Sequence, residues 1–194
     1  MDQIEFLKEK PMKTRLILSL LLMAAAGSLA AAGQGSSAGT FTETRLAALP
    51  VEALSADEKT GLLLMREEEK LARDVYLELY RIWNLRTFSN IASSEQSHMD
   101  QTALLLERYG LEDPALSAPG KFTDPELQNL YEQLISRGSR SLREAVQVGI
   151  DIEELDIRDL ERLMKTTDNR DISLVYGNLL RGSENHLAAF RRQL

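Results

Sequence analysis

The run Glu95-Gln96-Ser97-His98 sets a carboxylate and an imidazole three positions apart. On a helix that step brings both groups to one face, one turn apart. An oxygen and a nitrogen offered together in this way suit a metal, and helix bundles hold metals with such pairs. The chain has one other histidine, His186, and no cysteine. Thiolate zinc sites, iron–sulfur clusters, disulfides and cysteine nucleophiles are therefore excluded, and any metal must be held by oxygen and nitrogen.

The elements that position these groups read as helices. Ser55-Ala56-Asp57-Glu58 is a capping box that opens a first long helix running to about Trp83. A second starts near Thr87 or Phe88 and ends at Gly110, a residue suited to a left-handed helix terminus. The stretch from Leu111 to Phe122 contains Pro114, Pro119 and Gly120 and reads as a loop. Thr123-Asp124-Pro125-Glu126 opens a short helix that ends before Gly138, and Ser141-Leu142-Arg143-Glu144 is a second capping box opening a helix to about Lys165. A last helix runs from about Asp171 to the C-terminus. No segment alternates with period two for long enough to form a strand. Short turns within the first and second pairs of long helices, and one long crossing between the pairs, predict an all-α four-helix bundle whose crossover carries a short extra helix.

Helical spacing then defines an inward row on each long helix. The rows are Leu62, Met65, Glu69, Ala72, Tyr76, Leu79, Trp83; Phe88, Ile91, Glu95, His98, Thr102, Leu105, Tyr109; Val146, Ile150, Glu153, Ile157, Leu160, Met164; and Ile172, Val175, Leu179, Ser183, His186, Phe190. Each brings an ionisable group into an otherwise largely apolar interior, and Asp156 lies one turn beyond Glu153. The rest of the charge run from Arg66 to Lys70, including Glu67 and Glu68, reads as a solvated face. A buried carboxylate without a partner costs several kcal/mol or takes up a proton. Three of them converging with two imidazoles therefore need a compensating charge, and iron, manganese or zinc would supply it.

At these positions the sequence resembles the ferritin-like di-metal carboxylate proteins, such as rubrerythrin and bacterioferritin. It looks closest to an exported ferritin-like family of bacteria and archaea whose function is uncharacterised. Glu69-Lys70-Leu71-Ala72-Arg73-Asp74-Val75-Tyr76 is similar to the first rubrerythrin helix, in which the ligand glutamate precedes an alanine by three and a tyrosine by seven. The family pattern continues with Glu-x-x-His, matched by Glu95 and His98, and with a glutamate where Glu153 stands. The resemblance implies ferritin-like connectivity and a ligand set of Glu69, Glu95, His98, Glu153 and His186, which would also carry any catalysis. The fourth helix departs from the pattern, because Ser183 occupies the place of its glutamate. Asp156 is the preferred substitute and Glu184 the alternative, so the site is expected to hold one ion or two.

The remaining sequence sets the context. Lys13 and Arg15 precede an apolar run from Leu16 to Ala26 and then small residues to Gly33, which reads as a secretory signal. With Met12 as an alternative start, the expected organisation is an N-terminal extension and signal over 1–32, a flexible linker over 33–54 and the bundle over 55–194. The expected location is periplasmic or extracellular, with no stable membrane span after processing. A formal net charge of −7 argues against nucleic acid as a partner, leaving metal ions and, in an arrangement that stays open, a homodimer. Three functions are compatible with these features. The first is a di-iron or mixed-metal oxidoreductase that oxidises Fe(II) or reduces peroxide or dioxygen. The others are an exported metal-binding protein without turnover and a structural bundle that has lost its metal.

Overall fold

The computed structural model describes residues 37–194, and the signal segment inferred from the sequence lies outside them. Six helices and no strand occur among the described residues: α1 (Ser37–Ala47), α2 (Ala56–Trp83), α3 (Arg86–Arg108), α4 (Pro125–Gly138), α5 (Leu142–Met164) and α6 (Arg170–Arg191). None of these helices is long and apolar enough to cross a membrane.

Local chemistry accounts for most of the boundaries. The capping box at Ser55 is complete, with Ser55 Oγ accepting from the Glu58 backbone N–H and the Glu58 carboxylate accepting from the Ser55 N–H. Only half of the second box forms. Ser141 accepts from the Glu144 N–H, while the Glu144 carboxylate is taken by Arg137. Asn84 ends α2 in the left-handed conformation at φ 51°, and Gly110 does the same after α3 at φ 62°. Helix α1 corrects the expectation of a flexible linker over this stretch, since its Leu46 is buried against the bundle and its Thr42 reaches Gln101 of α3.

Helix α2 packs against α3 and α5, and α6 packs against the same two helices, so the four long helices close a helical bundle. The short α4 lies against α2 and α5, and α1 against α3. Two apolar clusters fill the interior. One contains Tyr76, Leu79, Phe88, Val148 and Phe190, and the other Leu62, Met65, Leu105, Leu160 and Leu179. Between them lies a layer of buried polar side chains: Glu69, Glu95, His98, Glu153, Asp156, Ser183 and His186.

The charge run from 66 to 70 corrects the expectation of a solvated face. Glu67 and Glu68 are buried with Glu69, and Lys70 is completely so. The crossover between α3 and α4 folds back over this side of α2. Lys70 Nζ donates to Asp74 Oδ2 and to the Ala118 carbonyl and sits 4.4 Å from the centre of the Phe122 ring, while Asp74 accepts from the Gly120 N–H. Burying the Lys70–Asp74 pair is tolerable because each charge keeps further hydrogen bonds.

Candidate metal centre

The inward rows bring five expected ligands into contact. His98 Nδ1 lies 3.1 Å from Glu69 Oε2 and 2.8 Å from Glu95 Oε2. His186 Nδ1 lies 2.8 Å from Glu95 Oε1 and 3.6 Å from Glu153 Oε2. The imidazole rings stack with centroids 5.5 Å apart. Two triads result, Glu69–Glu95–His98 and Glu95–Glu153–His186, each with its ligand atoms within 4.8 Å of one another. Glu95 belongs to both, offering one oxygen to each side.

Several of these atoms lack the partners that a purely structural network would give them. Glu69 Oε1 is buried without a hydrogen bond, and Glu95 Oε1 and His186 Nδ1 have only ion-pair contacts. Buried polar atoms are nearly always hydrogen-bonded, so such exceptions point to an ion or water. The donor set is carboxylate oxygen and imidazole nitrogen, which suits iron, manganese or zinc.

The electrostatics agree with that chemistry. Burial, opposed by His98 and assisted by Glu95, pushes Glu69 up to about 8. Burial and the Glu95 charge raise Glu153 to about 8 as well. Burial acts to raise Glu95 too, but the two imidazoles beside it prevail and hold it well below the usual carboxylate range. Burial opposes protonation of both histidines. The carboxylates outweigh it, raising His98 well above its ordinary value and His186 to about 10. The cluster thus holds protons among its buried carboxylates and imidazoles.

Residues 58–194 match the family described as an uncharacterized protein domain, DUF2202. The chain belongs to this family. The uncharacterized protein MJ0754 of Methanocaldococcus jannaschii is 51% identical over 150 residues, which is 77% of this chain and 81% of that protein. The crystal structure of the hypothetical protein MJ0754 from Methanococcus jannaschii aligns with a TM-score of 0.74 at 52% identity, over 75% of this chain and 84% of that one.

The remaining expected residues of this DUF2202 chain separate clearly. Asp156 is buried and accepts from Ser183 Oγ at 2.5 Å, so a carboxylate from α5 meets the position where α6 has serine. It stands outside both triads. Burial and then the Glu69 charge hold it well above the ordinary aspartate range. Glu184 is exposed, and Glu154 pairs with Arg191 on the outer surface, so neither reaches the centre. Tyr76, fully buried between the Phe88 and Phe190 rings, donates to Glu153 Oε1 at 2.7 Å.

Two positions were not anticipated. Ser94 Oγ lies 2.9 Å from His186 Nε2, leaving Nδ1 as the nitrogen turned toward the carboxylates. At Gly182 a Cβ atom would fall 2.3 Å from His98 Nε2, so the imidazole occupies space that any other residue would fill. Helical spacing carries a signal for Ser94, next to Glu95. For Gly182 there is only its place beside Ser183.

Proposed function

We propose that this chain is a ferritin-like protein, with the long α3–α5 crossover of that connectivity, and that its bundle holds a dinuclear carboxylate–histidine metal centre. The observation carrying this reading is Glu95, whose two oxygens face the two histidines separately and are shared by both triads. Glu69 and His98 would complete one position, and Glu153 and His186 the other. With Asp156 alongside, the four carboxylates would carry a formal charge of −4 when ionised, which two divalent cations balance.

Bound iron would supply redox chemistry for oxidising Fe(II) or reducing peroxide or dioxygen; manganese or zinc fits the same donors. The protein's part is to hold the ligands. Tyr76 fixes one oxygen of Glu153, Ser94 sets the face of His186, and the Tyr76–Phe88–Phe190 cluster excludes water from one side. The basic and apolar N-terminal segment supports operation outside the cytoplasm.

A second reading, a structural bundle without metal, is favoured by one feature: Glu95 lies between two histidines able to compensate its charge. One experiment separates the readings. The purified protein is analysed for iron, manganese and zinc, then given Fe(II) in air while ferric absorbance is followed. Two ions per chain and Fe(II) oxidation are expected. Bound metal without oxidation or peroxide consumption leaves a metal-binding protein without turnover, and no metal leaves the structural bundle.

A further inference from the structure

Asp156 is the carboxylate of the polar layer that belongs to neither triad. Ser183 occupies its Oδ2, while Oδ1, although buried, has no hydrogen-bond partner. The same side chain lines a cleft between α2 and α5 whose other walls are Glu68, Leu71, Ile152 and Leu155. Two of these, Glu68 and Ile152, directly precede Glu69 and Glu153, so the cleft runs alongside two of the proposed ligands. Its only carboxylates are Glu68 and Asp156, and the remaining walls are aliphatic.

We propose that this cleft is the port through which a divalent cation reaches the centre, with Glu68 receiving it and Asp156 passing it to Glu69. This rests on reading the triads as metal sites. A cation leaving water needs an oxygen at each step to replace its hydration. The aliphatic walls offer none, whereas the two carboxylates do, one of them with a free oxygen. Once its carboxyls are ionised, a cleft lined by one sign of charge also concentrates the opposite ion and raises its rate of arrival by roughly 10-fold to 10³-fold.

The test mixes the full-length protein with Co(II) in a stopped-flow cell and follows the visible absorbance of the bound ion, with total bound cobalt measured at equilibrium. Glu68→Gln and Asp156→Asn are each expected to slow uptake by about tenfold or more while reaching the same number of ions per chain as the unmodified protein. Glu154→Gln, on the outer surface, is expected to load at the unmodified rate. Uptake at that rate in both cleft variants overturns the proposal. Loss of an ion at equilibrium in Asp156→Asn also overturns it, since Asp156 would then be a resident ligand. An unmodified protein that binds no Co(II) instead removes the metal centre itself, and these failures are distinct.

Discussion

Glu95 Oε1 and His186 Nδ1 lie 2.8 Å apart as a buried ion pair. The same glutamate serves His98 with its other oxygen. Removing it should therefore affect both metal positions together. Glu95→Ala is expected to lower bound metal from two ions per chain to none, whereas Glu69→Gln and Glu153→Gln each lose one. Elemental analysis after dialysis checks this. In the metal-free protein Glu95→Ala also strands two buried imidazoles, and urea unfolding should show a loss of about 3–5 kcal/mol.

Under the proposed function, the proton load of the cluster would give metal binding a definite pH dependence. Metal requires unprotonated ligands. Glu69 and Glu153, at about 8, and His186, at about 10, all hold protons in the metal-free protein more firmly than free side chains do. Binding near neutral pH must therefore release protons, and affinity should rise with pH through this range and fall below about 8. Calorimetric titration of Co(II) at pH 7 in two buffers of different ionisation enthalpy measures the release. A proton count of zero contradicts the prediction.

Gly182→Ala places a methyl group 2.3 Å from His98 Nε2, closer than contact allows. The imidazole must turn away from Glu69 and Glu95. Metal affinity is expected to drop by roughly 10-fold to 100-fold, the usual effect of losing a residue that orients a ligand, with a changed visible spectrum of bound Co(II). Gly177→Ala is the control on the same helix, because its new atom meets nothing nearer than 3.7 Å. It should leave the spectrum unchanged.

Lys70→Met separates the crossover's tether from the centre's chemistry. Asp74 would keep Arg73 and the Gly120 N–H but lose its fully buried ammonium. A cost of about 3 kcal/mol in urea unfolding is expected, with the number of bound ions unchanged. A loss of metal would show that the crossover also sets the position of Glu69.

Particular residues show why the sequence was legible in some places and not in others. Glu69, Glu95, Glu153 and His186 are legible as inward-facing because helical spacing is local, and a charged residue in an apolar row is conspicuous wherever the helix packs. The adjacent choices also separated correctly, Glu153 inside and Glu154 at the surface. Lys70 and Glu67 were misjudged because spacing identifies the face turned from the bundle axis, not whether a distant loop covers it. The burial of Lys70 depends on Ala118 and Phe122, about fifty residues away in the chain. Gly182 escaped for the opposite reason. Its role is the space it leaves for His98, and a missing side chain makes no mark on a pattern of apolar and charged positions.

The polar layer between the two apolar clusters has a mechanical consequence. Each end of the bundle has its own packed interior, whereas the middle is joined by charges that without metal compensate one another incompletely. Stripped of metal, the two ends should come apart as separate melting units, and amide exchange should be fastest around residues 95–98 and 183–186. With metal in place the ions would act as a rivet, and heating should give a single, sharper transition at higher temperature. The same seven side chains that would carry the chemistry would then decide whether the domain unfolds as one body or two.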